Sequence, residues 1–406
     1  MAASAREKTQ IGPGLKAERL RRGLSQEGMA RKLGLKKPTY VSYEYGRSEP
    51  PLAVVARACE VLGLRPGALL GVERDRSEHT AILGWEVQSR LDEREREGYE
   101  VFLRLAEGET VDLPQADIEL HLRELFSENL VRITDFTLDP ELGEDVAERL
   151  GLDEVRVVSI PESLNSPFLR ALIVAEAGKR AFLEKLQPNV RIGITGGFLM
   201  ARMLDSLSRR ELRETPPFEI FPIAVSPFER VSVSPNTVLG HLYYRNFERS
   251  LRAHGLMFAT PESQKDLRET MRVLDGATGS DLVFLGLGDF DLRQRLADSK
   301  EADTMRSLLY ARGFNFQRIV EEEKAVGDIM FFPVDAGGEP VLLDELSDLI
   351  CSIGLERLRK LSAFYRIPVV AVVSGAKKRD IVLAAARGSY INTAIMETDL
   401  ARALMA

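Results

Sequence analysis

Three glycine-containing segments have residue types and spacings that are suited to binding an anion. They are ITGGF at 194–198, FLGLGD at 284–289 and SGAKK at 374–378, and each ends an apolar run. A glycine turn leading into a helix presents backbone amides to a negative group, and a lysine beside it pairs with phosphate or carboxylate. The three segments together predict a small-molecule site, although a glycine turn needed only for tight packing is an alternative for the first.

A second kind of chemistry is indicated by the charge distribution. Residues 1–72 contain 13 Lys and Arg against 6 Asp and Glu, a net charge of +7 in a chain whose total is −7. Lys and Arg release condensed counterions when they neutralise phosphates, so a basic module favours a nucleic-acid partner. A basic surface without such a partner is the alternative.

The elements that must position the first site are apolar, β-rich runs that alternate with helical patterns. In chain order these runs are VRVVSIP, VRIGITGG, FEIFPIAVS, DLVFLGLG, IPVVAVVSG and YINTAIM. This alternation predicts parallel strands with crossover helices, an α/β fold. Ligands bind such sheets at the carboxyl ends of the strands, which is where the three glycine segments fall.

The basic N-terminal segment shows helical patterns without a strand. Helices are predicted over 14–22, 26–33, 38–45 and 52–62, with a last turn near Gly67. Ser25 is placed as an N-cap, Gly34 as a C-terminal stop, and Pro38 where a first helical turn tolerates a missing donor. These helix starts and stops predict an all-α helix-turn-helix domain.

The segment between these two parts is predicted to be mainly helical. The charged run ERDRSEH at 73–79 indicates a linker, residues 80–106 a long helix or helix pair, and residues 115–132 a helix leading into a strand, like the end of a winged helix. The helix is either a dimerisation element or packs on its own body. The predicted domains are 1–72, 73–141 and 142–406.

The stretch GLSQEGMARKLGLKKPTYVSYEYGRSEPPLAVVARACEVLGL resembles the helix-turn-helix domains of the Cro and phage-repressor (XRE) family. The resemblance covers about 60 residues and implies that the helix from Pro38 enters the major groove. It also implies a structural ion pair between Arg19 and Glu44. The DNA contacts it implies are Lys37, Thr39 and Ser42 to base edges, Gln26 to a phosphate, and Lys36 and Arg47 to the backbone.

The three glycine segments, together with AVGDIMFFPVDAGGEPV and ARGSYINTAIMETDLARALM, resemble the sugar-binding domain of SorC-type bacterial regulators, from about Leu142 onward. The resemblance implies a sugar-phosphate isomerase or deaminase fold that senses phosphorylated sugars. Its implied effector contacts are the loop residues Thr195, Gly196 and Gly197, then Asn236, Asp328 and Lys378.

This sequence departs from that family in three respects. Phe198 and Leu199 stand where the family loop offers Thr or Ser hydroxyls, and the family's late Thr-Asp pair is Met396-Glu397. The helix-turn-helix is also of the phage-repressor type, whereas these sensors usually carry a different one. Effector and operator could therefore both differ from those of the family.

These observations predict an effector-responsive transcriptional regulator, a repressor, with a double-stranded DNA operator and a sugar phosphate or related metabolite as partners. A homodimer or homotetramer, a cytoplasmic location, and no membrane segment, cofactor, metal or catalytic residue are expected. One alternative is a DNA-binding oligomeric scaffold whose sensor has lost its ligand. The other is an isomerase-like enzyme using Asp281, Asp328 or Glu397 as base.

Overall fold

The structure is a computed structural model that forms two compact units. One unit comprises residues 1–141 with 159–165, the other residues 142–158 with 166–406. The residues it describes are 11–21, 24–48, 50–62, 83–87, 91–106, 109, 111–127, 130–160, 164, 166–226, 233–245, 251–255, 272–289, 309, 311, 313 and 316–406. The predicted linker at 73–79 and the turn near Gly67 lie outside these ranges.

The first unit begins with four short helices. They are α1 (Ile11–Arg21), α2 (Gln26–Leu33), α3 (Lys37–Glu44) and α4 (Leu52–Leu62). Leu15, Met29, Tyr40 and Leu62 are fully buried in one core that the four helices share. We refer to residues 11–62 as the head.

The predicted ends of the helices in the head are confirmed. The Ser25 hydroxyl accepts from the Gly28 amide at 3.0 Å and caps α2, and Gly34 ends that helix in the left-handed conformation with φ 70°. Pro38 lies in the first turn of α3. The tight turn between α2 and α3 follows from these local rules.

The rest of the first unit contains β1 (Leu83–Val87), α5 (Glu93–Ala106), α6 (Gln115–Ser127) and β2 (Val131–Leu138). A helix leading into a strand over 115–132 is thus confirmed. The expected helix over 80–106 is wrong at its start, because 83–87 form a strand. This strand pairs in antiparallel fashion with β2, which lies more than forty residues further along the chain. Because the partner is so distant, the pattern of residues within the segment does not reveal the strand.

The second unit alternates strands and helices through most of its length. Its helices are α7 (Pro140–Leu150), α8 (Pro167–Lys185), α9 (Phe198–Asp205), α10 (Arg209–Glu214), α11 (Pro235–Arg245), α12 (Phe316–Glu321), α13 (Leu343–Leu346), α14 (Leu355–Arg359), α15 (Arg379–Arg387) and α16 (Thr398–Met405). Across the ranges that the structure describes, every helix is too short or too polar to cross a membrane.

The strands of this unit are β3 (Glu154–Ser159), β4 (Val190–Ile194), β5 (Phe218–Pro222), β6 (Ala224–Val225), β7 (Leu251–Ala253), β8 (Leu282–Leu285), β9 (Gly288–Asp289), β10 (Ala325–Ile329), β11 (Phe332–Asp335), β12 (Cys351–Ser352), β13 (Val369–Val373) and β14 (Thr393–Glu397). Seven of them pair in parallel in the order β3-β14-β13-β8-β4-β5-β7. The predicted parallel α/β sheet is confirmed.

Burial explains why this sheet is parallel and central. All five residues of β13, Val369–Val373, are fully buried, so both faces of the strand are covered. Such a strand appears in the sequence as an unbroken apolar run, because crossover helices pack on both faces of the sheet. The carboxyl ends of the seven strands consequently point to one edge of the sheet.

A small antiparallel sheet, β9-β10-β11, was not predicted from the sequence. β10 pairs with both neighbours, and its Gly327 and Asp328 lie opposite Asp289 and Gly288. Gly327 allows this approach, because a Cβ there would clash with the Gly288 carbonyl and lie 2.8 Å from the Ile381 Cβ. The Val-Gly-Asp segment therefore brings Asp328 beside the loop that follows β8.

Replacing Gly327 by alanine is expected to destabilise the second unit by about 1–3 kcal/mol, because the added methyl overpacks the contact with α15 and β9. Urea denaturation of the full chain measures this. Gly240→Ala is the matched control: no atom lies within 4 Å of a Cβ in that helical position, so helix propensity predicts a neutral or stabilising change. Equal losses for both variants would contradict this account of Gly327.

Candidate functional site

The predicted DNA contacts of the head cluster around the first turn of α3. The side chains of Lys36, Lys37 and Thr39 are exposed there, on the turn that follows α2. Proline in this turn and a backbone bond from the Thr39 amide to the Lys36 carbonyl, 3.0 Å, hold its conformation. Two lysines and a hydroxyl at an exposed helix N-terminus can meet phosphates and base edges.

Three further predicted contacts lie around this turn with different partners. Ser42 is half-buried and its hydroxyl is 2.8 Å from that of Ser48. Gln26, the first residue of α2, donates from Nε2 to Glu44 at 3.3 Å. Arg47 is exposed, with its guanidinium 5.7 Å from the centre of the Tyr45 ring. The structure thus places all six residues on the α2–α3 part of the head, and their contact with DNA stays a prediction.

A buried ion pair fixes the orientation of α3 against α1. Nε and Nη2 of Arg19 donate to the two oxygens of Glu44 at 3.0 and 2.9 Å, with 6% and 0% of the side chains exposed. Arg19 also donates to the Leu24 carbonyl at 2.6 Å. The ion pair implied by the sequence resemblance is confirmed, and Glu44 faces the core of the head.

The environment of Glu44 changes its proton affinity. Burial by itself would raise the pKa of this carboxyl, but hydrogen bonds from Arg19 and Gln26 and the guanidinium charge outweigh burial. The pKa of Glu44 is therefore lowered from its ordinary value. Folding of the head favours the ionised form of this group.

The second unit contains a cavity of about 580 Å³ at the carboxyl edge of its parallel sheet. It lies where β4 meets β8, the point from which the chain runs to β5 and β7 on one side and to β13 and β14 on the other. The lining residues are Pro167, Arg170, Ala171, Thr195, Gly196, Gly197, Phe198, Leu199, Met200, Val233, Gly286, Leu287, Gly288, Asp289, Asp328, Met330, Phe331, Ser374, Gly375, Ala376, Lys377, Lys378, Glu397 and Asp399. This is where α/β folds bind ligands, and the volume suits a small molecule.

The loop after β4 forms one wall of the cavity through main-chain contacts. The Thr195 amide donates to the Phe284 carbonyl at 3.2 Å, and the Gly197 amide donates to the Val233 carbonyl at 2.9 Å. The Thr195 hydroxyl donates to the Gly196 carbonyl and accepts from the Gly286 amide, at 3.2 and 3.1 Å. Gly197 has φ 107°, which lets the chain turn directly into α9.

The loop after β13 carries the two lysines of the cavity. Gly375, with φ 101°, begins a turn from which Lys377 and Lys378 project. Lys378 Nζ donates to the Leu287 carbonyl and lies 3.9 Å from Asp289, whereas Lys377 Nζ lies 3.6 Å from the other oxygen of Asp289. One carboxylate therefore faces both ammonium groups.

A buried arginine joins two carboxylates that also line the cavity. Arg170 of α8 donates from Nε to Glu397 at 2.6 Å and from Nη2 to Asp399. Glu397 is 2% exposed, and its second oxygen accepts from the Ser374 hydroxyl at 3.0 Å and from the Gly375 amide. These bonds connect the ends of β13 and β14 to α8.

The structure brings most of the predicted effector residues together. Thr195, Gly196, Gly197, Asp328 and Lys378 all line the cavity. Asn236 lies in α11 and is absent from the lining. Whether any of these six residues contacts an effector stays a prediction, and for Asn236 it requires a movement of α11 or a larger ligand.

The three carboxylates considered for an enzyme lie in two different places. Asp328 and Glu397 line the cavity. Asp281 immediately precedes β8 at the amino end of that strand, where it accepts from the Arg191 amide at 3.0 Å. Being near a strand end is not sufficient, because only the carboxyl ends of parallel strands meet at the cavity.

Sequence reasoning missed several cavity residues, among them Arg170, Asp289 and Asp399. Asp289 directly follows a glycine of FLGLGD, and Asp399 follows β14 by two residues, so the strand-end rule alone could have found both. Arg170 follows the otherwise apolar PFL at the start of α8. A charge on a buried helix face was the available signal, since such a charge requires a partner.

Two family models match the chain in separate regions. A model described as "Putative sugar-binding domain" matches residues 134–406, more than half of the chain. A model described as helix-turn-helix matches residues 15–69. The helix-turn-helix match contains α2 and α3, and the sugar-binding match contains all of the described residues that line the cavity.

Individual proteins with similar sequence or structure are transcriptional regulators by name. The transcriptional regulator LsrR of Enterobacter sp. (strain 638) is 29% identical over 134 residues, which are 33% of this chain and 38% of that protein. The match thus spans well under half of this curated relative.

Two solved structures share the fold. The full-length sorbitol operon regulator SorC of Klebsiella pneumoniae has a TM-score of 0.51 at 16% identity, covering 78% of this chain and 100% of that one. A DeoR family transcriptional regulator of Listeria monocytogenes has a TM-score of 0.50 at 17% identity, covering 65% and 98%. At these identities the likeness concerns the fold alone.

The lowered pKa of Glu44 predicts acid sensitivity of the head. A carboxyl whose folded pKa is depressed contributes stability that is complete above its unfolded value, about 4.5, and is lost as the pH falls through the folded pKa. Glu44→Gln should cost about 3–5 kcal/mol at neutral pH by stranding Arg19, and should flatten the dependence on pH below 4.5. Amide hydrogen exchange of α1–α4, corrected for intrinsic rates, measures both effects.

Glu214→Gln is the control for this measurement. Its exposed pair with Arg210, 3.1 Å long with 83% and 67% of the side chains accessible, should contribute little at any pH. A Glu44→Gln head that keeps the acid sensitivity of the parent would contradict the assignment.

Proposed function

The chain belongs to the family of the sugar-binding domain matched over residues 134–406, and from that premise we propose that it is an effector-responsive DNA-binding transcriptional regulator. The observation that carries the proposal is the coexistence, in one chain, of a basic helix-turn-helix head and a ligand-sized cavity at the strand ends of an α/β unit. We assign residues 1–72 to DNA binding, 73–141 to a connecting segment and 142–406 to the sensor.

The head would bind duplex DNA with α3 in the major groove. Lys37, Thr39 and Ser42 would contact base edges, because Lys37 and Thr39 are exposed at the start of that helix and the half-buried Ser42 follows Thr39 by three residues on the same side. Lys36, Arg47 and Gln26 would contact phosphates and set the register. The Arg19–Glu44 pair supports this arrangement by holding α3 in place, without touching DNA.

The sensor would bind a small sugar-derived molecule. Hydroxyl groups require donors and acceptors at fixed positions, and the cavity supplies carboxylates and ammonium groups within one enclosure. A sugar phosphate or a related metabolite is the ligand class suggested by the family resemblance.

Regulation would follow from a population shift. A homodimer or homotetramer places two heads at the spacing of two half-sites, and an effector that prefers one arrangement changes operator affinity. We propose that the protein acts as a repressor and that the effector lowers its affinity for the operator. The effector can shift this equilibrium only by its differential affinity for the two arrangements.

Two other functions make different predictions for ligand binding. A DNA-binding scaffold with a vestigial sensor is favoured by the apolar Phe198 and Leu199 in the loop after β4, and it predicts no thermal stabilisation by any sugar. An isomerase-like enzyme is favoured by the carboxylates Asp328 and Glu397 in the cavity, and it predicts turnover of a sugar phosphate. Effector binding without turnover supports the regulator, since a ligand that binds the folded state stabilises it.

DNA binding by the head can be tested with two lysines that are neighbours in sequence but have different roles. Lys36→Ala should weaken binding to all sequences alike and reduce the slope of log K against log salt by about one. Lys37→Ala should cost about 1–3 kcal/mol on the operator alone and relax its sequence preference. Fluorescence anisotropy at several salt concentrations, with duplexes from upstream of the protein's own gene, measures both.

Lys360→Ala is the matched control. This lysine belongs to the second unit, where its exposed ammonium pairs with Glu356, and its loss should leave DNA binding unchanged. Equal losses for Lys36→Ala and Lys37→Ala on every duplex would overturn the division between phosphate and base contacts.

A further inference from the structure

We infer that the effector is an uncharged polyhydroxylated molecule, a sugar or polyol without a phosphate group. The inference rests on the proposed sensor function and concerns the chemical class of its ligand. It is based on the pairing of charges in the cavity, on the donors of the loop after β4 and on the side chains that begin α9.

The first observation is the charge of the cavity. Its lining contains the carboxylates Asp289, Asp328, Glu397 and Asp399, and the cations Arg170, Lys377 and Lys378. Among the lining residues that the structure describes, carboxylates thus outnumber cations by four to three. A phosphate dianion placed there would face an excess of like charge, which raises the cost of binding in a partly buried site.

The second observation is that each of these cations already faces a carboxylate. Arg170 donates to both Glu397 and Asp399, and only 10% of its side chain is exposed. Lys377 and Lys378 approach Asp289 at 3.6 and 3.9 Å. A phosphate could bind Arg170 only by displacing Glu397 or Asp399, which would leave that carboxylate without its compensating charge, and it would have to share the two lysines with Asp289.

The third observation concerns the loop after β4, which the sequence suggested as the anion site. The amides of Thr195 and Gly197 and the Thr195 hydroxyl all donate to protein carbonyls. The first turn of α9 then presents Phe198 and Leu199 to the cavity. The Phe198 ring is partly exposed, lies 5.5 Å from the Phe168 ring and has the Arg202 guanidinium 5.4 Å from its centre, so the side chains that begin α9 present an aromatic and an aliphatic group and no hydroxyl.

A neutral polyol fits these features together. Its hydroxyls can donate to the less buried carboxylates of the lining and accept from the two lysines without bringing a net charge into the cavity. Its C–H groups can pack on Phe198, whose ring face carries partial negative charge. Specificity for hydroxyls is high in such a site, because a ligand that lacks one leaves a buried polar group without its bond.

The test compares sugars with their own phosphates. Isothermal titration and thermal shift of the full chain would use D-ribose and ribose 5-phosphate, D-glucose and glucose 6-phosphate, D-sorbitol and sorbitol 6-phosphate, and inorganic phosphate. The parent compound of the best pair should bind at least tenfold more tightly than its phosphate, and inorganic phosphate should not compete. A phosphate ester that binds tenfold more tightly than its parent would overturn the inference and leave the proposed sensor intact. Failure of every compound to bind would count against the sensor function itself.

Two variants should relax the discrimination. Asp399→Asn removes one carboxylate from Arg170 at a partly exposed position, and Phe198→Thr combined with Leu199→Thr adds hydroxyl donors to α9. Each should improve the phosphate ester relative to its parent by at least threefold. Asp380→Asn, which alters an exposed pair with Arg379 outside the cavity, is the control and should change neither affinity. Unchanged preference in both cavity variants would contradict the inference.

Discussion

The convergence of parallel strand ends is the constraint on which the cavity of the second unit, the proposed sensor, depends. Seven strands run in one direction, and the fully buried β13 shows that helices must cover both faces of the sheet. Each connection therefore leaves from the same edge, and residues almost 200 positions apart, such as Thr195 and Lys378, line one cavity. The position of the cavity is therefore determined by the strand order and not by the particular side chains that line it.

Buried charges give both parts of the molecule their fixed geometry. In the head, the Arg19–Glu44 pair orients α3, and in the second unit the Arg170–Glu397 pair joins α8 to the ends of β13 and β14. Removing one partner from such a pair is costly because the other charge remains buried. In the proposed sensor, the same pairing would favour an uncharged ligand, since the cations of the described lining already face carboxylates.

Most of the architecture could be predicted from the sequence because it obeys local rules. A few neighbouring residues are enough to predict the helix caps at Ser25 and Gly34. The same is true of the buried strands, which are unbroken apolar runs. The strand at 83–87 could not be predicted in this way, because its partner is distant in sequence. The glycine loops and lysines of the cavity could be predicted because they follow strand ends. Arg170, at the start of a helix, lines the cavity and Asn236 does not. Tertiary packing decides both of these positions, so the sequence pattern did not predict them.

The coupling of the two parts is the central claim, and reciprocal linkage tests it most directly. Effector affinity is measured by titration on the free protein and on the protein saturated with its operator, and operator affinity is measured with and without effector. The account predicts that both affinities change by the same factor, about 5–150-fold for typical coupling, and that Lys378→Ala abolishes the change while DNA binding remains. An effector that binds equally well with and without operator would contradict it.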